Sequence, residues 1–333
     1  MSRRAIGDAT APVLAPPLRH DSSISMNIRT ALREAIVRLE SESVPSAALA
    51  AELLLLHVTK RDRTWIYAHP EAPLSADQWQ NYFALVARRA SGTPVQYLTG
   101  AQEFWGLEFE VTPDVLIPRP ETEHVVEVAL ERMGERASKK LRVADVGTGS
   151  GCLAVALATE LLQAQIVATD ISSAALRVAR RNAEKTRVNT RIDFLECNLL
   201  DVFAHESASR ENAARETASA FRSRIEFDLI VSNPPYVALA DAPTLPREVR
   251  EHEPHAALLA GESGLDVYAP LIAQAEELLC PGGVLVIELG YNAADHVRAL
   301  LDAPRWCDVA IANDLAGIAR VASAIRTSAA KQG

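Results

Sequence analysis

Asn233-Pro234-Pro235-Tyr236 follows directly on the apolar run Phe227-Asp228-Leu229-Ile230-Val231-Ser232. These residue types, in this order, suit the recognition of a planar amino group. Two prolines fix two φ angles near about −65° and remove two backbone donors, so the neighbouring carbonyls stay out of a regular helix and are free for a ligand. Asn233 adds a side-chain acceptor and a donor, and Tyr236 adds a flat ring with a hydroxyl. Acceptors of this kind bind the two hydrogens of an NH2 group while the ring holds its plane. A proline-stiffened loop closed by an aromatic plug would use the same residues.

A second constellation lies upstream. Leu141 to Val146 reads as a short apolar strand, Gly147-Thr148-Gly149-Ser150-Gly151 as a glycine turn, and Cys152 to Ala158 as an apolar helix. Glycine is needed where the backbone takes positive φ or must let a ligand approach the main chain. Strand, glycine turn and helix start make a nucleotide-type site in an open α/β sheet. The spacing is G-x-G-x-G rather than the G-x-G-x-x-G of dinucleotide binders, and no phosphate-binding G-x-x-x-x-G-K-[ST] loop occurs. Gln165 to Asp170 is a second strand ending in an acid 23 positions after Gly147. An acid there can accept both hydroxyls of a ribose. It can equally cap a helix starting near Ser173.

The elements that must position these groups follow from periodicity. Ile28 to Leu39, Ser46 to His57 and Ser75 to Ala90 carry apolar residues at helical spacing, which predicts a small helical domain over 26–93. Arg88-Arg89 near its end reads as a solvated pair. From Val95 to Val115 the pattern turns extended, broken at Gly100 and Gly106, so 94–116 is expected to be a hairpin-like linker. The remainder, 117–333, is expected to hold strands near 141–146, 165–170, 191–195, 226–232, 283–289, 306–311 and 317–323 with helices between. Pro281-Gly282-Gly283 reads as the turn into the fifth of them. Residues 1–25 read as a disordered extension without a secretory h-region, and Ala204 to Arg224 as a charged insertion without an apolar face.

With 333 residues and 48% hydrophobic content the chain can bury a full core. A net charge of −9 argues against bare duplex DNA or long RNA as the main partner. No apolar run is long enough to span a membrane. Cys152, Cys197, Cys280 and Cys307 form no C-x-x-C pair and are expected as buried small hydrophobes in a reducing compartment. His252-Glu253-Pro254-His255 lacks helical spacing and a third ligand, so it is read as a surface loop and no metal is expected.

Taken together, the glycine loop, the acid and Asn-Pro-Pro-Tyr resemble the class I S-adenosylmethionine-dependent methyltransferases. Within them the chain resembles the family that methylates the glutamine side-chain amide (N5) of peptide-chain release factors. The likeness runs from about Met26 to about Ala324. It is carried also by Gln96-Tyr97-Leu98-Thr99-Gly100, Glu103-Phe104-Trp105-Gly106, Leu116 to Glu123 (Leu-Ile-Pro-Arg-Pro-Glu-Thr-Glu), Glu253-Pro254 and Asp314-Leu315-Ala316-Gly317. The resemblance implies an α/β fold: a Rossmann-like class I sheet with a small N-terminal helical domain for substrate recognition. The implied cofactor is S-adenosyl-L-methionine over Gly147, Thr148, Gly149, Ser150 and Gly151, with its ribose on Asp170 and Asn233 close by. Asp145 is a further candidate for its methionine end. Where some relatives place an aromatic over the adenine, this chain has Leu199.

The same resemblance implies the chemistry. The Asn233 side-chain oxygen and the Pro234 carbonyl would accept the two amide hydrogens and Tyr236 would pack on the amide plane, these three being catalytic and, together with Pro235, forming the substrate-binding set. Arg119 and Glu121 would close the pocket or form an interdomain salt bridge, while Phe104 and Trp105 read as packing. The implied partner is a release factor presenting Gly-Gly-Gln, met by a cytoplasmic monomer without stable nucleic-acid or membrane binding. A ribosomal-protein glutamine methyltransferase, a nucleic-acid base amino-group methyltransferase and an inactive cofactor-binding module are the alternatives the sequence leaves open.

Overall fold

The computed structural model describes residues 26–204, 226–302 and 304–327. The extension 1–25 and all but the first residue of the Ala204–Arg224 insertion lie outside them. The chain divides into two compact units, one ending at Ala87 and the other starting at Arg88.

The first unit is helical: α1 (Ile28–Ser41), α2 (Ala47–Thr59), α3 (Arg63–Ala68) and most of α4 (Ala76–Ala90). Asn27 caps α1 by accepting the Thr30 N–H at 2.9 Å. Ala31, Ala35 and Leu39 recur at i, i+4, i+8 and are fully buried, which fixes the inner face of α1. Tyr82 on α4 is buried and donates to the Ala51 carbonyl at 3.0 Å, so the polar end of a large apolar ring is satisfied inside the core. Six-residue α3 was not legible in the periodicity. It is too short to show a repeat and is fixed by the Asp62 cap on Trp65 N–H at 2.7 Å.

In the second unit the linker is not extended from its start. Val95–Thr99 is a helical turn, α5, opened at Pro94 and closed by Gly100 at φ +75°. A proline needs no donor at a helix start, and only glycine takes positive φ without strain, so the two breakers act as caps. The hairpin follows as β1 (Ala101–Phe104) and β2 (Leu107–Glu110).

Beyond it run α6 (Glu123–Met133), β3 (Arg142–Val146), α7 (Cys152–Glu160), β4 (Gln165–Asp170), α8 (Ser173–Lys185), β5 (Ile192–Glu196), α9 (Asp201–Ala204) and β6 (Phe227–Ser232). The chain continues through α10 (Arg247–His252), α11 (Tyr268–Leu278), β7 (Leu279–Glu288), α12 (Ala294–Leu301), β8 (Trp306–Asn313) and β9 (Ala319–Arg326). The seven later strands form one sheet in the order β5-β4-β3-β6-β7-β9-β8, parallel except for β9. Its inner strands are apolar at nearly every position because both faces are covered. Along β6, Leu229 and Val231 pack into the cluster on one face and Ile230 into that on the other.

Two boundaries differ from the sequence reading. Pro281-Gly282-Gly283 lies within β7 as an irregularity where the pairing with β6 shifts register, so the strand begins before it. Gly317, at φ +78°, belongs to the turn before β9 and not to the strand.

Candidate active site

Strand register sets the geometry of the site. Val146 on β3 pairs with Thr169 on β4 and with Ser232 on β6, and Ser232 pairs with Ile287 on β7. The next residue of each strand therefore stands at one level across the sheet: Asp170, Gly147, Asn233 and Glu288. They mark the carboxyl edge on both sides of β3, where the strand order reverses and open α/β sheets bind ligands.

The glycine loop is tied down from both ends. Gly147 and Thr148 donate their N–H groups to the Thr169 carbonyl at 2.9 and 2.8 Å. Gly147 and Gly149 take φ of +74° and +56°, and a Cβ on either would meet open space, so their bare backbone faces room a ligand can use. Gly151 is different. At φ +84° it lies against Ala179, whose Cβ would stand 3.0 Å from any added Cβ, so it serves the packing of α7 on α8. Thr148 and Ser150 are buried. Asn182 on α8 locks the loop to the hairpin: it donates to Ser150 O (2.9 Å) and Glu110 O (3.0 Å), and accepts Glu110 N–H at 2.7 Å.

Asp145 is fully buried beneath this loop. It accepts the Thr148 hydroxyl at 2.6 Å and the Ala154 N–H at 3.0 Å, the latter one of the orphan donors in the first turn of α7. Burial outweighs those bonds and pushes its carboxyl up to about 7. It has no exposed surface, and its Oδ1 is buried without a hydrogen-bond partner while Oδ2 shapes the loop.

Asp170 accepts Gly149 N–H through one oxygen and Ser172 N–H through the other, both at 2.9 Å. It is not the cap of α8. Ser172 takes that role on Ala175 N–H at 3.2 Å, which leaves Asp170 part-exposed at the strand end. Burial raises its carboxyl above the usual range, and the backbone N–H bonds oppose the rise. Ile171, next in the chain, is 56% exposed. Leu199 takes φ +46° and packs against the core cluster around Phe227.

On the other side of β3, Pro234 is buried and Asn233 and Tyr236 are partly exposed. Asn233 Nδ2 donates to Thr122 Oγ1 at 3.0 Å. The Tyr236 hydroxyl donates to Glu288 Oε1 at 3.2 Å, and its ring lies against Gly290, where a Cβ would come within 3.1 Å. The Tyr236 carbonyl lies against Gly264, where a Cβ would reach it at 2.6 Å. Burial, then Glu288, push the Tyr236 phenol well above its ordinary value. The Glu288 carboxyl is pushed up to about 7 by burial, with Thr122 and Tyr236 pulling it back.

Thr122, Glu288, Gly264 and Gly290 were missed from the sequence. Glu288 carried a usable signal: like Asp170, it is an acid closing an apolar strand.

Arg119 pairs with Glu253 inside the second unit, so this is not an interdomain bridge, and Glu121 is exposed. Glu253 is buried, contrary to a surface loop. Arg89, read as solvated, is 5% exposed and pairs with Glu248 at 2.6 Å. Cys307 is exposed and the other cysteines are partly buried. Phe104 is buried and meets Phe109 edge-on, while Trp105 donates its indole N–H to Glu160. No metal-holding cluster exists among the described residues, and no helix among them is long and apolar enough to cross a membrane.

The chain matches the family model of the PrmC N-terminal domain over residues 30–100 and that of ribosomal protein L11 methyltransferase (PrmA) over 122–233. It is 41% identical to a release factor glutamine methyltransferase of Koribacter versatilis, over 89% of this chain and 97% of that one. It is 42% identical to one of Geobacter sulfurreducens, over 85% and 91%. Among solved structures, the hMettl16 catalytic domain covers 73% of this chain and 84% of its own with a TM-score of 0.50 at 15% identity, a likeness of fold.

Proposed function

The chain belongs to the release factor glutamine methyltransferase family, and from that premise we propose that it transfers a methyl group to the side-chain amide nitrogen of a release-factor glutamine. The observation that carries the reading is the level placement of the glycine loop and Asn233 on adjacent strands. A cofactor on one and an amide on the other would meet across β3 and β6.

The residues present fit S-adenosyl-L-methionine. Gly147 and Gly149 expose backbone with open space above it, Asp170 offers a part-exposed carboxylate for the ribose, and Ile171 offers an apolar face for the purine. When bound, the cofactor supplies a sulfonium methyl as the electrophile. We assign Thr148, Ser150 and Gly151 to the shape of that cradle.

An amide nitrogen is a poor nucleophile because its lone pair is delocalised into the carbonyl. The protein's part is orientation, worth roughly 7–11 kcal/mol where reacting groups are well placed. Asn233 Oδ1 and the Pro234 carbonyl accept the two amide hydrogens, which holds the nitrogen in place and favours a pyramidal geometry. The methylated nitrogen afterwards loses one of those hydrogens as a proton to solvent. Tyr236 keeps the amide plane, and Pro235 keeps both carbonyls from turning away. Fixed dipoles of this kind act without reorganising at the moment of reaction. We assign residues 26–93 to substrate recognition and 117–333 to cofactor binding and transfer. We assign the reaction to the cytoplasm, as suits a substrate of the translation machinery.

The test is methyl transfer from labelled S-adenosylmethionine to purified release factor, ribosomal proteins and nucleic acid in parallel, with the modified residue mapped by mass spectrometry. Label on the glutamine of Gly-Gly-Gln, lost in Asn233→Ala, is the expected result. Label confined to ribosomal protein or nucleic acid overturns the substrate.

A further inference from the structure

We propose that Thr122 and Glu288 are positioning residues: Glu288 sets the direction of the Thr122 hydroxyl, that hydroxyl sets which end of the Asn233 amide faces the substrate, and Glu288 also holds Tyr236 by its phenol. The inference rests on the functional reading above and extends it to the groups that orient the amide-binding side chains.

The observations converge from three segments. Thr122 is 2% exposed and stands at the end of a short 3-10 turn, Pro120–Thr122, before α6. Glu288 is 2% exposed at the end of β7 and Asn233 leaves β6 beside it. Thr122 meets Asn233 Nδ2 at 3.0 Å, and Tyr236 meets Glu288 at 3.2 Å. A hydroxyl has one proton to give, and an ionised carboxylate can only accept. Glu288 Oε2 is buried without a hydrogen-bond partner, and Thr122 is among the groups that lower this carboxyl, so a Thr122 proton turned toward that oxygen leaves Thr122 Oγ1 to accept from Asn233. The Asn233 NH2 end is therefore committed to Thr122, and Oδ1 is the end left for the incoming amide. Among the described residues Oδ1 makes no other hydrogen bond. Reversal of the amide would set NH2 against NH2 at the reacting nitrogen, which binds nothing.

Protonated, Glu288 would itself become a donor, and the imposed direction would be lost. The charged and titratable groups facing it come from four sides. Tyr236 follows β6, Tyr268 on α11 donates its hydroxyl to the Glu288 carbonyl at 3.3 Å, Arg320 lies on β9, and Glu121 precedes α6. Arg320 is held by Asp314 at 2.9 Å, so it lowers the carboxyl from a distance without pairing with it.

The test compares wild type with Thr122→Val, Thr122→Ser and Glu288→Gln. Readouts are kcat and KM for release factor from pH 5.5 to 9, cofactor affinity by calorimetry, and thermal midpoint. Thr122→Val is expected to lower kcat roughly 10-fold to 100-fold, the size of one misdirected hydrogen bond in a buried site, with cofactor affinity within about twofold. Thr122→Ser is expected to recover the larger part of that loss. In wild type kcat falls on the acidic side, and Glu288→Gln lowers the plateau and removes that limb. A Thr122→Val enzyme with wild-type kcat, or one whose loss Thr122→Ser leaves untouched, overturns the inference while the wild-type methylation stands. A wild type that does not methylate release factor overturns the functional reading, and the inference falls with it.

Discussion

Arg119 Nη2 and Glu253 Oε1 meet at 2.5 Å across 134 positions of sequence, and the Glu253 carboxylate also accepts the Ile117 N–H at 3.3 Å. One buried acid thus clamps the Ile117-Pro118-Arg119-Pro120 segment onto the loop that follows Asn-Pro-Pro-Tyr. The Glu253 side chain is 1% exposed and that of Arg119 is 32% exposed. Arg119→Met would leave a buried carboxylate without its counter-ion. The expected loss is about 2–3 kcal/mol, below the 3–5 of a fully enclosed pair because Arg119 is one-third open. Urea denaturation reads it, and an unchanged midpoint would refute the clamp.

Glycines of one loop are expected to separate into two classes. Gly151→Ala drives a Cβ to 3.0 Å from that of Ala179 at φ +84° and should lower stability by about 2–4 kcal/mol. Gly149→Ala meets no atom within 4 Å, so its fold cost is the positive φ alone, about 1–2 kcal/mol. Its cofactor affinity, read by calorimetry, should fall at least 10-fold. Equal stability losses in the two variants would contradict this division.

Asn182 satisfies three hydrogen bonds between hairpin and glycine loop while 1% exposed. Asn182→Ala should cost about 2–4 kcal/mol, since Glu110 and Ser150 lose buried partners. It should also weaken cofactor binding through the loop. Thermal denaturation with and without cofactor separates the two effects: the cofactor-induced rise in midpoint shrinks only if the loop has moved.

Asp145 makes stability depend on pH with a definite sign. Its carboxyl titrates near 3.8 unfolded and about 7 folded, so the folded state holds more protons between those values. The contribution is complete below about 3.8 and lost as pH rises toward 7. Asp145→Asn, which keeps an acceptor for Thr148 and Ala154, should flatten that part of the stability profile. An unaltered slope between pH 4 and 7 would mean the group is ionised throughout.

Cysteine reactivity should report the fold directly. Cys307 is exposed, whereas burial pushes the Cys152 thiol up to about 12 and raises those of Cys197 and Cys280. A disulfide reagent at neutral pH should label one thiol fast in the native protein, and Cys307→Ser should abolish that phase. Two fast thiols would place a second cysteine at the surface.

Local order carried most of what the sequence revealed. Asn233 to Tyr236, Gly147 to Gly151 and Asp170 announce themselves because prolines, glycines and a strand-ending acid constrain their own backbone within a few residues. Strands β3 to β9 were legible because apolar runs between breakers need no distant information. The linker was misread at Val95–Thr99, where Pro94 and Gly100 serve as caps of a turn; the same two residues also punctuate extended chain, and only the packing of Val95 and Leu98 decides.

What tertiary structure alone decided is which side chains meet. Register across four strands puts Asp170, Gly147, Asn233 and Glu288 at one level, and register is set by pairing between segments far apart in sequence. Thr122 lies 111 positions from Asn233, and Tyr236 lies 52 from Glu288. The polarity of those contacts follows from burial, which raises the cost of any unpaired group. Residue types and spacing pointed to a chemistry; burial and register decided which side chains meet.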